Sequence, residues 1–248
     1  MFDISITVEN INFEKTISAL MPGILQKCRK ISKPNLVLRM LLEMEDDALT
    51  VLLGIMQRLS EDAKVELLCQ LMNGYGEVLT EKFNEYLKKD ALGRNFRFQS
   101  IYMRKRNNGV ELVGCGVQID YMALLDEEEV REKISDKAAD FVGFGKFGKI
   151  LARQVGNVLK TAVGAAPEEA EKFGLKLLQR EDIKERLLKL AQDVLEQKGM
   201  EMELKSLFLE QTEEEGIILE NNSGTIEISP ELELELIKAL AGYVRSVL

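Results

Sequence analysis

The chain contains no histidine and no tryptophan. Without histidine, no Ser-His-Asp triad, Cys-His dyad, H-E-x-x-H zinc site or His-ligated haem can be assembled within one chain. Acid–base chemistry is left to carboxylates, Lys, Tyr or Cys. Cysteine is scarce: Cys28, Cys69 and Cys115 are odd in number, far apart and form no C-x-x-C pair. That pattern reads as reduced thiols of a cytoplasmic protein and argues against a zinc or iron–sulfur centre. Long apolar runs are missing too. The strongest begins at Leu36 and stops at Glu43, well short of the roughly 20 residues of a membrane span. The opening MFDISITVEN has neither the basic nor the long apolar region of a signal peptide. From these absences we expect no catalytic residue, no cofactor and no metal site.

What is present is an ordinary globular composition, 46% hydrophobic and 30% charged over 248 residues. Such a chain can fold as one large domain or two small ones. A division into 1–140 and 141–248 is one option, a single domain the other. The net charge is -9 at pH 7, and it is local. Eleven acids lie between Glu201 and Ile237 against the single base Lys205, so the rest of the chain is close to neutral. An acidic C-terminal segment on a near-neutral body disfavours nucleic acid as a partner.

The hydrophobic pattern predicts an α+β fold, mostly helical, with two antiparallel strand groups. Phe2, Ile4, Ile6 and Val8 alternate with polar residues, a half-buried strand. Asn12 is placed to cap a helix running to about Ile31, interrupted or kinked at Pro22-Gly23. Apolar helical stretches follow at 36–59 and 61–89, the second split near Gly74 and Gly76. Phe96, Phe98 and Tyr102 at even spacing, then Asn107-Asn108-Gly109 and Val110–Val113, predict a β-hairpin. Asp182 with Glu185 opens a helix ending near Gly199. Leu204–Leu209 reads as a strand, Ile217–Glu220 and Thr225–Ile228 as a second hairpin, and Ser229-Pro230-Glu231 as the start of a final helix. The N-terminal strand can join either group, giving one mixed sheet or two small ones.

The segment 141–166 holds four bases and no acid. Gly143, Gly145 and Gly148 spell the G-x-G-x-x-G of phosphate-binding loops and are the candidate cofactor-binding residues. Such a loop needs an apolar strand before it and an acid about 20 residues on. Here the preceding residues are polar, and the first acid after Gly148 is Glu168. The segment fits an amphipathic helix better, with Phe144, Leu151, Val155, Val158 and Ala162 on one side and Lys146, Lys149, Arg153 and Lys160 on the other. Phe144, Lys146, Phe147, Lys149, Arg153 and Lys160 are therefore the candidate contacts to a protein partner or an anionic membrane. Packing on the protein's own core is the plainer alternative.

Two smaller features complete the survey. Arg104-Lys105-Arg106 forms a basic hairpin tip that either meets an acidic partner or is simply solvated. Cys115 between Gly114 and Gly116 is read as a buried strand cysteine rather than an active thiol. The thin catalytic inventory, the Met- and Leu-rich helices at 36–89 and the segregated charge together point to a non-catalytic protein. It is expected to act through protein–protein contact or self-association, as a homo-oligomer. Peripheral membrane association through 141–166 is the first alternative. An enzyme or binder of a phosphate-bearing ligand at Gly143–Gly148 is the second.

Overall fold

The computed structural model describes residues 2–29, 39, 42–43, 47–91, 93–106, 109–120, 123, 178–211 and 228–247. Its elements are β1 (Phe2–Glu9), α1 (Phe13–Cys28), α2 (Ala48–Met56), α3 (Glu61–Gly74), α4 (Gly76–Leu87), β2 (Phe96–Arg97), β3 (Ser100–Arg106), β4 (Gly109–Ile119), α5 (Glu181–Gln197), β5 (Glu203–Gln211) and α6 (Pro230–Val247). The fold is α+β, with helices packed on an antiparallel sheet.

The N-terminal strand joins the two strand groups into one sheet. β1 pairs with β4 on one side, Ile6 opposite Leu112, and with β5 on the other, Ile6 opposite Leu207. β2 and β3 follow each other along the far edge of β4. Every pairing is antiparallel among the described residues, so of the one mixed sheet and two small ones expected, a single antiparallel sheet is observed. The predicted second hairpin lies outside the described residues.

Phe2, Ile4, Ile6 and Val8 all face the helices and are buried. In the β3–β4 hairpin the simple alternation breaks. Phe96 and Phe98 are core residues as expected, but Ile101 and Met103 then take the inward positions and Tyr102 turns to the other face. β4 changes parity at the same level: Val110 and Leu112 point inward on one side of the break, Val117 on the other. Gly116 supplies the extra residue at φ 59°, a left-handed conformation that disfavours any Cβ. Even spacing in the sequence therefore misassigns Tyr102, because a bulge is one residue of backbone that periodicity cannot count.

The helices begin and end where local chemistry dictates. The Asn12 side chain accepts the Lys15 N–H at 3.1 Å and caps α1. That helix continues through Pro22 rather than being interrupted there. Ser60 caps α3 by accepting the Ala63 N–H. The break between α3 and α4 falls at Tyr75, between the two glycines. Asp182 does not cap α5. It lies inside the first turn, ion-paired to Arg180 at 3.0 Å. The other end of α5 closes in a Schellman motif: Met200 N–H bonds the Leu195 carbonyl at 3.0 Å, Gly199 N–H bonds Glu196, and Gly199 sits at φ 73°.

The apolar helices of 36–89 supply core where they are described. Leu52, Ile55, Leu68, Leu71, Met72, Leu79 and Leu87 are almost wholly buried, as are Met21, Met56, Met103, Met200 and Met202. α3 and α4 pack on β3, α5 packs on β5 and α4, and α6 packs on α2 and α3.

Candidate interaction surface

α6 is apolar on two opposite faces, and only one of them is used by the described fold. At 100° per residue, Leu232, Leu236, Ala239 and Tyr243 fall on one side. The first three are buried, and Tyr243 packs against the core. This face is anchored at both ends. Ser229 Oγ accepts the Leu232 N–H at 3.2 Å and donates to Glu66 on α3 at 2.6 Å. Near the other end the Tyr243 ring lies against the backbone of Gly54 on α2, where a Cβ would collide with it. Arg58 holds the same junction. Its guanidinium stands 5.5 Å from the Tyr243 ring centre and donates to the Gly54 carbonyl and to Ser246 Oγ, both at 2.7 Å. Ser60 Oγ adds a bond to Glu235 at 3.1 Å.

The opposite face of α6 carries Leu234, Ile237, Ala241 and Val244. Leu234 is 53% exposed, Ile237 38% and Val244 41%. With Phe208 on β5, these three make up the exposed large hydrophobic residues among those described. Periodicity alone could have found the stripe, since the spacing of three, four and three is legible. It was missed because the same helix also carries a core face, and an apolar residue in a sequence does not declare which side it serves.

A concavity runs between α4 and the β2–β3 edge, with a volume of about 930 Å³. One wall carries Glu77, Glu81 and Glu85 and the other Arg94 and Arg97. Its floor is sealed. Asn84 Oδ1 accepts the Phe98 N–H and Asn84 Nδ2 donates to the Phe98 carbonyl, both at 2.9 Å. Thr80 Oγ1 accepts the Ile101 N–H at 2.8 Å. Asn73 accepts from the Met103 N–H at 2.7 Å and donates to its carbonyl at 3.1 Å. The N–H groups of all three residues and the carbonyls of Phe98 and Met103, which an edge strand would offer to an incoming strand, are already taken.

The basic hairpin tip is likewise engaged within the chain. Arg104 and Arg106 both reach Glu111, at 2.8 and 3.4 Å, and Lys105 reaches Asp62 at 2.7 Å. Cys115 is a buried strand cysteine. Burial pushes its thiol up to about 12, and burial does the same for Cys69 and for the Tyr102 hydroxyl. No group of three or more Cys, Asp or Glu side chains among the described residues is arranged to hold a metal ion. No described helix is long and apolar enough to cross a membrane. The candidate residues Gly143, Gly145, Gly148, Phe144, Lys146, Phe147, Lys149, Arg153 and Lys160 lie outside the described residues.

Comparison with protein-family models, with curated proteins and with solved structures finds no match to this chain.

Proposed function

We propose that this is a non-catalytic protein that acts through protein–protein contact, and that the outer face of α6 is its contact surface. The single observation that carries this reading is the exposed stripe of Leu234, Ile237 and Val244 on a helix whose other face is anchored to the body. Large aliphatic side chains aligned on one rigid face favour burial, and covering three of them at this exposure contributes about 1 kcal/mol each. A helix held at both ends loses little further freedom on binding, which lowers the cost of association. The arrangement suits recognition of a helix or a groove by anchors spaced three and four residues apart.

The test is a photo-crosslinking amino acid placed at position 237 and, as a control, at the exposed position 81. The protein is expressed at its natural level in its own cells. A discrete protein adduct from 237, absent from 81, is the expected result. No adduct from 237 above the control would remove the reading.

A further inference from the structure

Resting on that reading of α6, we propose that the occupant of its outer face is a second copy of this chain, the two α6 helices packing antiparallel across a two-fold axis. The exposed apolar residues recur at 234, 237, 241 and 244. That is the narrow seam by which one helix meets another, not the broad face with which a helix covers a core.

Reversing the stripe against itself sets Leu234 opposite Val244 of the second copy and Ile237 opposite its Ala241. Large then meets small. Ala241 leaves the space that Ile237 of the other copy fills, and the helices close without a void. A parallel pairing would stack Ala241 on Ala241 and leave a gap.

The charges agree with the same arrangement. One flank of the stripe carries the exposed residues Glu231, Lys238 and Arg245, seven residues apart. Turned end for end, this flank brings Glu231 to Arg245 of the second copy, twice by symmetry. The two Lys238 side chains meet at the axis, where their long stems let the ammonium groups spread into water. The core face of α6 points away from the stripe, toward α2 and α3. From 234 to 244 the seam is about 15 Å long. It covers less than the roughly 800 Å² per partner of a standard interface. The dimer is therefore weak and concentration-dependent.

Sedimentation velocity from low micromolar to several hundred micromolar protein tests this. The wild type is expected to move from monomer toward dimer, and Ile237→Asp to stay monomeric throughout with an unchanged far-UV spectrum and melting temperature. Glu231→Arg and Arg245→Glu are each expected to weaken the dimer about tenfold, from the loss of two exposed pairs. The double variant is expected to regain wild-type association. A wild type that is monomeric at every concentration overturns the proposal, as does a dimer indifferent to Ile237→Asp. A dimer that depends on Ile237 but is not restored by the double reversal overturns the antiparallel arrangement. If the crosslinker at 237 joins a different protein while the chain sediments as a monomer, the contact surface stands and the second copy does not.

Discussion

Asn84 on α4 and Phe98 on the sheet edge are joined twice, amide to backbone, with the Asn84 carboxamide occupying the place of a neighbouring strand. Its Oδ1 takes the Phe98 N–H and its Nδ2 gives to the Phe98 carbonyl. Asn73 repeats the device at Met103, and Thr80 takes the Ile101 N–H. Side chains from two helices, α3 and α4, thereby do for this edge part of what a further strand would do, without presenting a new edge.

Asn84→Ala is expected to destabilise the protein by about 1–3 kcal/mol, because it strands one donor and one acceptor of a half-buried backbone. Thr80→Val keeps the shape and removes both the acceptor for the Ile101 N–H and the donor to the Gly76 carbonyl, so it should fall in the same range. Urea unfolding of both variants measures this. A loss within error for both would mean that water replaces the clasps at little cost.

Gly116→Ala is expected to cost at least about 1–2 kcal/mol, the penalty for a Cβ in the left-handed region. The added methyl also meets the Gln99 side chain. The variant should unfold at lower denaturant concentration with an unchanged slope, since the change strains the native bulge and not the unfolded chain.

Ser229→Ala removes the cap of α6 and the bond to Glu66. A loss of about 1 kcal/mol is expected. Hydrogen exchange should accelerate in the first turn of α6 before it does elsewhere. Ser229→Thr should restore protection. Ser229→Asp should restore it only in part, because a carboxylate cap is brought against Glu66.

Cys69 and Cys115 are expected to resist alkylation at pH 8 in the native protein and to react fully in denaturant, read by peptide mass spectrometry. Burial raises both thiols from an ordinary 9.0 to about 12. In the folded protein they stay protonated where the unfolded chain has begun to release protons. Their contribution to stability is therefore complete below about pH 9 and is lost as pH rises toward about 12. Tyr102, raised from 10.0 to about 12, works in the same direction from its higher starting point. Thermal melts should decline across this alkaline window, and Cys115→Ala should flatten the decline.

Much of the local structure was legible because it is written in neighbouring residues. Asn12 caps α1, the two glycines end α3 and start α4, β3 and β4 pair as a hairpin up to Arg106 opposite Gly109, Gly199 ends α5 and Ser229-Pro230 opens α6. Each is a matter of a dihedral angle or a hydrogen bond reaching three or four residues. The parity change at Gly116 was not legible, because it depends on β4 matching β1 and β2–β3 at once. The clasps by Asn73, Thr80 and Asn84 were hidden for the same reason: nothing nearby in sequence marks a helical amide as the partner of a strand up to 30 residues away.

By itself the sequence determined the α+β class, most element boundaries and the chemistry that a chain without histidine forgoes, because periodicity, caps and turns act over a few residues. The tertiary structure decided which apolar residues are used up. It placed Phe2–Glu9 at the centre of one sheet, spent Leu52, Ile55 and Met72 on the core, and left Leu234, Ile237 and Val244 facing water. Hydrophobic burial is non-directional and scales with area. Only the arrangement of all the elements together determines which of two apolar faces on one helix still has surface left to cover.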